Sequence, residues 1–275
     1  MTQDAKFLIK TAKHASKLIS KKIEVKQKDD KGDLVTNFDY EIEKFIIDKI
    51  KKNYLDFSIV SEEFNCDKTL SKNCFTIDPI DGTVNFANKI PLWAIQIACV
   101  RDGKTCASVI FLPKLKELYY ADTTGAYLNG KKLNIKKKNL INCLFEIDTG
   151  DIKKTLETVD NVSNTVKKFR NLGSAGIAYA WTASGKLGGT IFQSESAWDY
   201  TPGMFLVKMA GGITINKKGC HLASCSKEFA TILEKSCVTK NLNKNLLKTS
   251  KKSYWLFKFC MISSYRTNLR VWRNW

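Results

Sequence analysis

The stretch Cys74-Phe75-Thr76-Ile77-Asp78-Pro79-Ile80-Asp81-Gly82-Thr83 joins an apolar strand to two carboxylates three residues apart. Carboxylates at a strand end are expected to project from a rim instead of into a core, with Pro79 stiffening the link between them. Magnesium takes oxygen ligands at about 2.0–2.1 Å in a near-octahedral array, and one carboxylate can bridge two ions. The spacing suits Asp78 as a bridge, Asp81 as a ligand of a second ion, and the Ile80 carbonyl as a ligand of the first. Gly82-Thr83 then opens a short helix whose free N–H groups suit a phosphate oxygen.

Further oxygen donors lie outward from this segment. Phe57–Val60 reads as a strand running into Ser61-Glu62-Glu63, and Asp199 follows Trp198 at the start of a helix. Two ions roughly 3.5–4 Å apart support in-line displacement at phosphorus, one activating water and the other steadying the leaving oxygen. Each acid alone has a plainer explanation. Asp78-Pro79 is an ordinary turn opener, Glu62-Glu63 a solvated pair, Asp39 the partner of Thr36 in a capping box, and Asp199 a cap of its own helix. Four acids at strand ends or helix starts in a basic chain outweigh those separate explanations.

The remaining pattern is read from periodicity. Residues 5–22 place Leu8, Ala12, Ala15 and Ile19 on one helical face, and Thr36-Asn37 opens a second helix through Ile42, Phe45, Ile46 and Ile50. Strands follow at 94–100, 107–112 and 117–120, with a turn at Arg101–Lys104 and a hairpin signal at Asn129-Gly130. The second half alternates: strand 144–147, helix 152–159, helix 174–184, strand 189–192, helix 198–210 and strand 213–215. A meander followed by alternating α and β predicts a layered α+β, α/β protein of two subdomains, 1–140 and 141–241. Residues 242–275 read as a basic, aromatic tail, either an appendage or a segment foreign to the ancestral fold.

The combination Asp33-Leu34-Val35-Thr36 with Asp39, Glu62-Glu63, Asp78 through Phe86, and Trp198-Asp199 with Ala210-Gly211-Gly212 resembles the inositol monophosphatase family. The resemblance runs from about residue 5 to about residue 240, and its motif around Asp78 is long and specific. It implies an α-β-α-β-α layered sandwich and magnesium-dependent, lithium-sensitive hydrolysis of a small phosphate monoester, inositol 1-phosphate first among the candidates. Glu62, Asp78 and the Ile80 carbonyl match ligands of one metal, and Asp78, Asp81 and Asp199 those of a second. A third magnesium leans on Glu62 through waters in such proteins, and Lys28 matches a nearby loop lysine. Thr83 and Asp39 match the pair that orients and deprotonates the attacking water. Asp81, Gly82 and Thr83 fall where the family contacts substrate phosphate, and Gly173, Ser174 and Ala175 where it lines the alcohol. One departure bears on specificity. Position 192, seven residues before Asp199, is Phe where a glutamate usually binds substrate hydroxyls, and Gly188-Gly189 stands where an acid is common. Fructose 1,6-bisphosphate, 3′-phosphoadenosine 5′-phosphate and histidinol phosphate are thus alternative substrates.

Composition narrows the classes. The chain has 275 residues, nine scattered cysteines and two histidines, His14 and His221. The histidine count disfavours a phosphohistidine or a histidine-rich zinc site. Unpatterned cysteines predict reduced thiols and a cytoplasmic protein, and no eighteen-residue apolar run suggests a membrane span. Net charge is +18, of which the tail from Leu242 carries +8 without an acid. That charge raises a rival reading, a polyanion-binding protein, but the lysine-rich body reads more simply as solvated surface, so nucleic acid is not the expected partner. A homodimer is expected.

Overall fold

A computed structural model of the chain describes residues 1–19, 22–28, 33–136, 143–163, 165–166, 168–217 and 219–231. The tail at 242–275 and the subdomain boundary expected near residue 140 lie outside them. Met1–Cys237 forms one compact unit.

Thr2 caps helix α1 (Gln3–Ala15), which buries Ala5, Leu8, Ala12 and Ala15. A 3₁₀ turn at Ser16–Leu18 follows, so the helix ends earlier than its apolar spacing predicts. Strands β1 (Val25–Gln27) and β2 (Leu34–Thr36) pair antiparallel and deliver the chain to α2 (Asn37–Asn53). Thr36 and Asp39 form a reciprocal capping box there. The α2 residues Phe38, Ile42, Ile46 and Ile50 all face the core.

The large sheet runs in the order β3 (Ser58–Ser61), β4 (Cys74–Asp81), β5 (Ala94–Arg101), β6 (Lys104–Leu112), β7 (Glu117–Asp122), β8 (Gly125–Leu128), β9 (Lys131–Lys132). Only the β3–β4 pair among these is parallel. The meander follows from its turns. Asp102-Gly103 and Asn129-Gly130 each place two consecutive residues at positive φ (52° and 73°, 49° and 84°), as tight hairpins require. A second sheet orders β11 (Phe169–Arg170), β10 (Phe145–Asp148), β12 (Gly189–Gln193), β14 (Cys220–Ser224) and β13 (Ile213–Lys217). Strand β14 has no counterpart in the sequence reading. Cys-His-Leu-Ala-Ser lacks a clean alternation, and pairing on both sides makes it a strand.

Helices α1 and α2 cover one face of the large sheet. Helices α5 (Ala175–Ala183) and α6 (Ala197–Met209) fill the space between the sheets, and α4 (Ile152–Val162) packs against β10. The layering is therefore α-β-α-β-α. Helix α5 is buried almost all round, which explains its composition, AGIAYAWTA. Among the described residues no helix is long and apolar enough to cross a membrane.

Two expectations are corrected. Asp78 and Asp81 do not project from an exposed rim. Strand β4 continues through both, with an irregular register between them, and they are only 2% and 6% exposed. The thiols are not all reduced either. Cys66, Cys74, Cys99, Cys106 and Cys225 are free thiols, but Cys220 is disulfide-bonded.

Candidate active site

Three element ends meet around Asp78. Strand β4 supplies Asp78 and Asp81, the turn after β3 supplies Glu62 and Glu63, and the first turn of α6 supplies Asp199. Trp198 anchors the last of these by packing on Val60 of β3. Helix α3 (Thr83–Ala87) leaves β4 at Gly82, whose φ is +88°. A Cβ at Gly82 would meet the Gly173 and Leu92 carbonyl oxygens at 3.0 Å. Both the backbone conformation and the close approach therefore demand glycine.

Asp81 is held from the middle layer. Its Oδ1 accepts from the Ala175 N–H and its Oδ2 from the Gly176 N–H, each at 2.9 Å. The Ser174 hydroxyl also donates to Oδ2. These N–H groups open α5, where the helix dipole favours an anion. The three expected substrate-side residues Gly173, Ser174 and Ala175 are thus beside Asp81, and two of them bond it directly. Asn85 fastens the same loop, donating to the Leu92 and Leu172 carbonyls at 2.8 Å.

Asp39 completes the capping box of α2 and also faces Thr83. Its Oδ2 accepts from the Thr36 N–H at 2.7 Å and from the Thr36 hydroxyl, while Oδ1 lies 3.3 Å from Thr83 Oγ1. Thr83 Oγ1 is also 2.9 Å from the Ile80 carbonyl oxygen, so one hydroxyl proton faces two acceptors. Lys28 donates to Glu62 at 2.9 Å and to Glu63. Two supports escaped the sequence reading. Glu43, buried on α2, accepts from the Glu63 and Phe64 N–H groups at 2.8 Å and fixes the acidic turn. Ser194 donates to Asp199, and the Ser194 carbonyl lies 2.8 Å from His221 Nε2, whose ring stacks on Tyr200. A single polar residue on a helix or in a turn carries no spacing signal, which is why neither support was found.

Electrostatics set Asp78 apart. Its Oδ1 is buried without a hydrogen-bond partner. Burial raises its pKa well above the usual carboxylate value, and the charges of Glu62, Asp81, Asp199 and Asp39 raise it further. Burial also lifts Asp81 to about 6 and Asp199 to about 8, against the hydrogen bonds that hold them. Asp39 rises to about 6 by burial. Crowded, buried carboxylates with one bare oxygen are a donor set for a hard cation, because each needs a positive partner to remain ionised.

Phe192, at the position where the sequence reading expected a substrate-binding acid, is half-buried in β12 and packs on the middle layer. Gly188 has no room for an acid, since a Cβ there would stand 2.6 Å from the Cys143 side chain.

Comparison with known proteins gives the family. The model of the inositol monophosphatase family matches residues 2–254. A Thermotoga maritima protein named fructose-1,6-bisphosphatase/inositol-1-monophosphatase is 31% identical over 200 residues, covering 72% of this chain and 77% of the relative. The Nus factor SuhB of Escherichia coli K12 is 33% identical over 228 residues, covering 78% and 85%. The solved Thermotoga maritima IMPase superposes with a TM-score of 0.74 at 25% identity, over 85% of this chain and 94% of that one. The chain belongs to the inositol monophosphatase family, and it is a phosphatase.

Proposed function

We propose that the chain hydrolyses a small phosphate monoester, inositol 1-phosphate first, at a magnesium site built from Glu62, Asp78, the Ile80 carbonyl, Asp81 and Asp199. The observation that carries this reading is the bare, buried Oδ1 of Asp78 among four other carboxylates. An all-oxygen donor set selects a hard cation over zinc or copper. Magnesium held there would act as a Lewis acid toward phosphoryl oxygens and lower the pKa of a bound water. Two ions, with a third near Glu62, fit the number of acids.

The chain's own residues handle the water and the phosphate. Thr36 occupies Asp39 Oδ2 and leaves Oδ1 to receive the Thr83 proton. With that proton turned to Asp39, the Thr83 oxygen accepts a hydrogen bond from the attacking water and so aims a lone pair of that water at phosphorus. The backbone at Gly82-Thr83 faces the phosphate, and Gly173 to Ala175 border the alcohol. Lys28 partly neutralises Glu62 and Glu63.

Specificity is the open choice. With Phe192 and Gly188 where the family commonly places acids, fructose 1,6-bisphosphate, 3′-phosphoadenosine 5′-phosphate and histidinol phosphate belong in the same test. A phosphate-release panel over these substrates, with and without magnesium, is the experiment. Magnesium-dependent release that lithium inhibits supports the reading, and no release from any member contradicts it. A cytoplasmic homodimer is the expected form of the enzyme. The net charge of +18 favours a second reading, polyanion binding, which predicts salt-steep affinity lost on deleting residues 242–275.

A further inference from the structure

On the far side of the large sheet, the β5–β6 hairpin departs from regular pairing. Cys99 stands opposite Ala107 and Val100 opposite Thr105, so Cys106 is the extra residue of a bulge. In an unbroken strand Cys106 and Ala107 would point to opposite faces. The bulge breaks that alternation, and Cys106 joins Cys99 and Ala107 in the apolar layer beneath α1. Two free thiols thereby share one face. Their sulfurs and the Asp4 carboxylate all lie within 4.8 Å of one another. Cys106 Sγ donates to the Cys99 carbonyl at 3.4 Å and lies 3.6 Å from Asp4 Oδ2.

The neighbours argue against a cation here. Asp4 accepts from Arg101 Nη2 at 3.0 Å and from the Tyr54 hydroxyl at 2.8 Å. A metal would have to displace those donors and sit beside a guanidinium. The thiols themselves are unequal. Cys99 is fully buried and Cys106 only half so. The hydrogen bond between them lowers the Cys106 thiol and raises that of Cys99.

We propose that Cys99 and Cys106 are a reversible dithiol site, oxidised to a disulfide by a small hydroperoxide that reaches Cys106 first. The Cys106 sulfur attacks one peroxide oxygen, the O–O bond breaks, and sulfenic acid and water form. The Cys99 sulfur then attacks the sulfenic sulfur and expels the second water. In sum, two thiols and one hydrogen peroxide give one disulfide and two waters. Closing the bond brings the sulfurs from within 4.8 Å of one another to about 2.05 Å. It also removes the Cys106 S–H from Asp4, the residue that links α1 to Arg101 and Tyr54.

The test treats the full chain with hydrogen peroxide, then alkylates, digests with trypsin and maps peptides without reduction. Trypsin cuts at Arg101 and Lys104, so the two cysteines fall on separate peptides. The expected product joins them, two hydrogens lighter, and dithiothreitol restores both. Cys106 should react at least about tenfold faster than Cys74, a thiol that burial pushes up. In Cys99→Ser, a sulfenic acid at Cys106 should be trapped by dimedone. The proposal is overturned if Cys99 and Cys106 both stay alkylatable after the exposed Cys66 has been oxidised. It is equally overturned if Cys106 joins another cysteine, or if stoichiometric zinc protects the pair. The wild-type peptide map decides the matter even where a variant fails to fold.

Discussion

The N–H of Ala175 donates to Asp81 Oδ1 at 2.9 Å, joining positions 94 residues apart in the chain. Ser174 and Gly176 complete the clamp, so a carboxylate on the large sheet is fixed by the helix that opens the middle layer. The donors leave Asp81 ionised more readily than burial alone would allow.

Removing one donor tests the clamp. Ser174→Ala should weaken magnesium binding roughly tenfold, as loss of a residue that orients a metal ligand commonly does. The same change removes the N-cap of α5, at about 1 kcal/mol. Isothermal titration with magnesium separates the two effects from each other. Unchanged affinity would remove the clamp from the account of the site.

Gly176→Ala acts on the same contact by size. An added Cβ would stand 2.8 Å from Asp81 Oδ2 and 2.7 Å from Gln96 Cδ, both buried. Overpacking of this kind costs about 1–3 kcal/mol. The phosphatase rate should fall by at least about tenfold, because a shift of Asp81 moves the site with it. Wild-type kcat with a lowered Tm would mean that Gln96 alone gives way.

Glu43 supports the acidic turn without joining it. Glu43→Ala leaves the Glu63 and Phe64 N–H groups without their acceptor, at a cost of about 2–3 kcal/mol. Urea unfolding should show the loss, and Glu43→Gln should recover part of it. Equal stability of all three proteins would contradict the role.

Stability of the metal-free protein should depend on pH with a definite sign. Asp81 and Asp199 sit at about 6 and about 8 in the fold, above the ordinary value of 3.8. Each raised carboxyl stabilises the fold while protonated. That contribution is complete below about pH 4 and is lost as pH rises through about 6 and then about 8. In a chelator, Tm should therefore fall from about pH 5.5 to about pH 9, and added magnesium should recover more at the higher pH. A Tm that rises over this range, or magnesium recovery that is the same throughout, would contradict the assignment.

Much of this was legible from the chain. Thr36 and Asp39 announced the start of α2, the Asp-Gly and Asn-Gly pairs announced hairpins, and the run from Asp78 to Thr83 announced the site. These signals are local, set by one side chain and its near neighbours. What escaped depends on distant segments. Asp78 and Asp81 read as rim residues because their strand looked finished at Ile77, whereas α5 and α6 cover them from the second half of the chain. Strand β14 exists through pairing on both edges, and Glu43 and Ser194 act through partners set by the fold.

The most direct measurement compares wild type with Asp78→Asn by magnesium titration calorimetry and phosphate release on the same samples. Asparagine keeps the shape of Asp78 but removes the charge that a cation would balance. The account predicts loss of magnesium binding and of phosphate release, with metal-free stability at about pH 9 unchanged or raised because buried repulsion is relieved. Magnesium binding and phosphate release at wild-type levels in Asp78→Asn would contradict it.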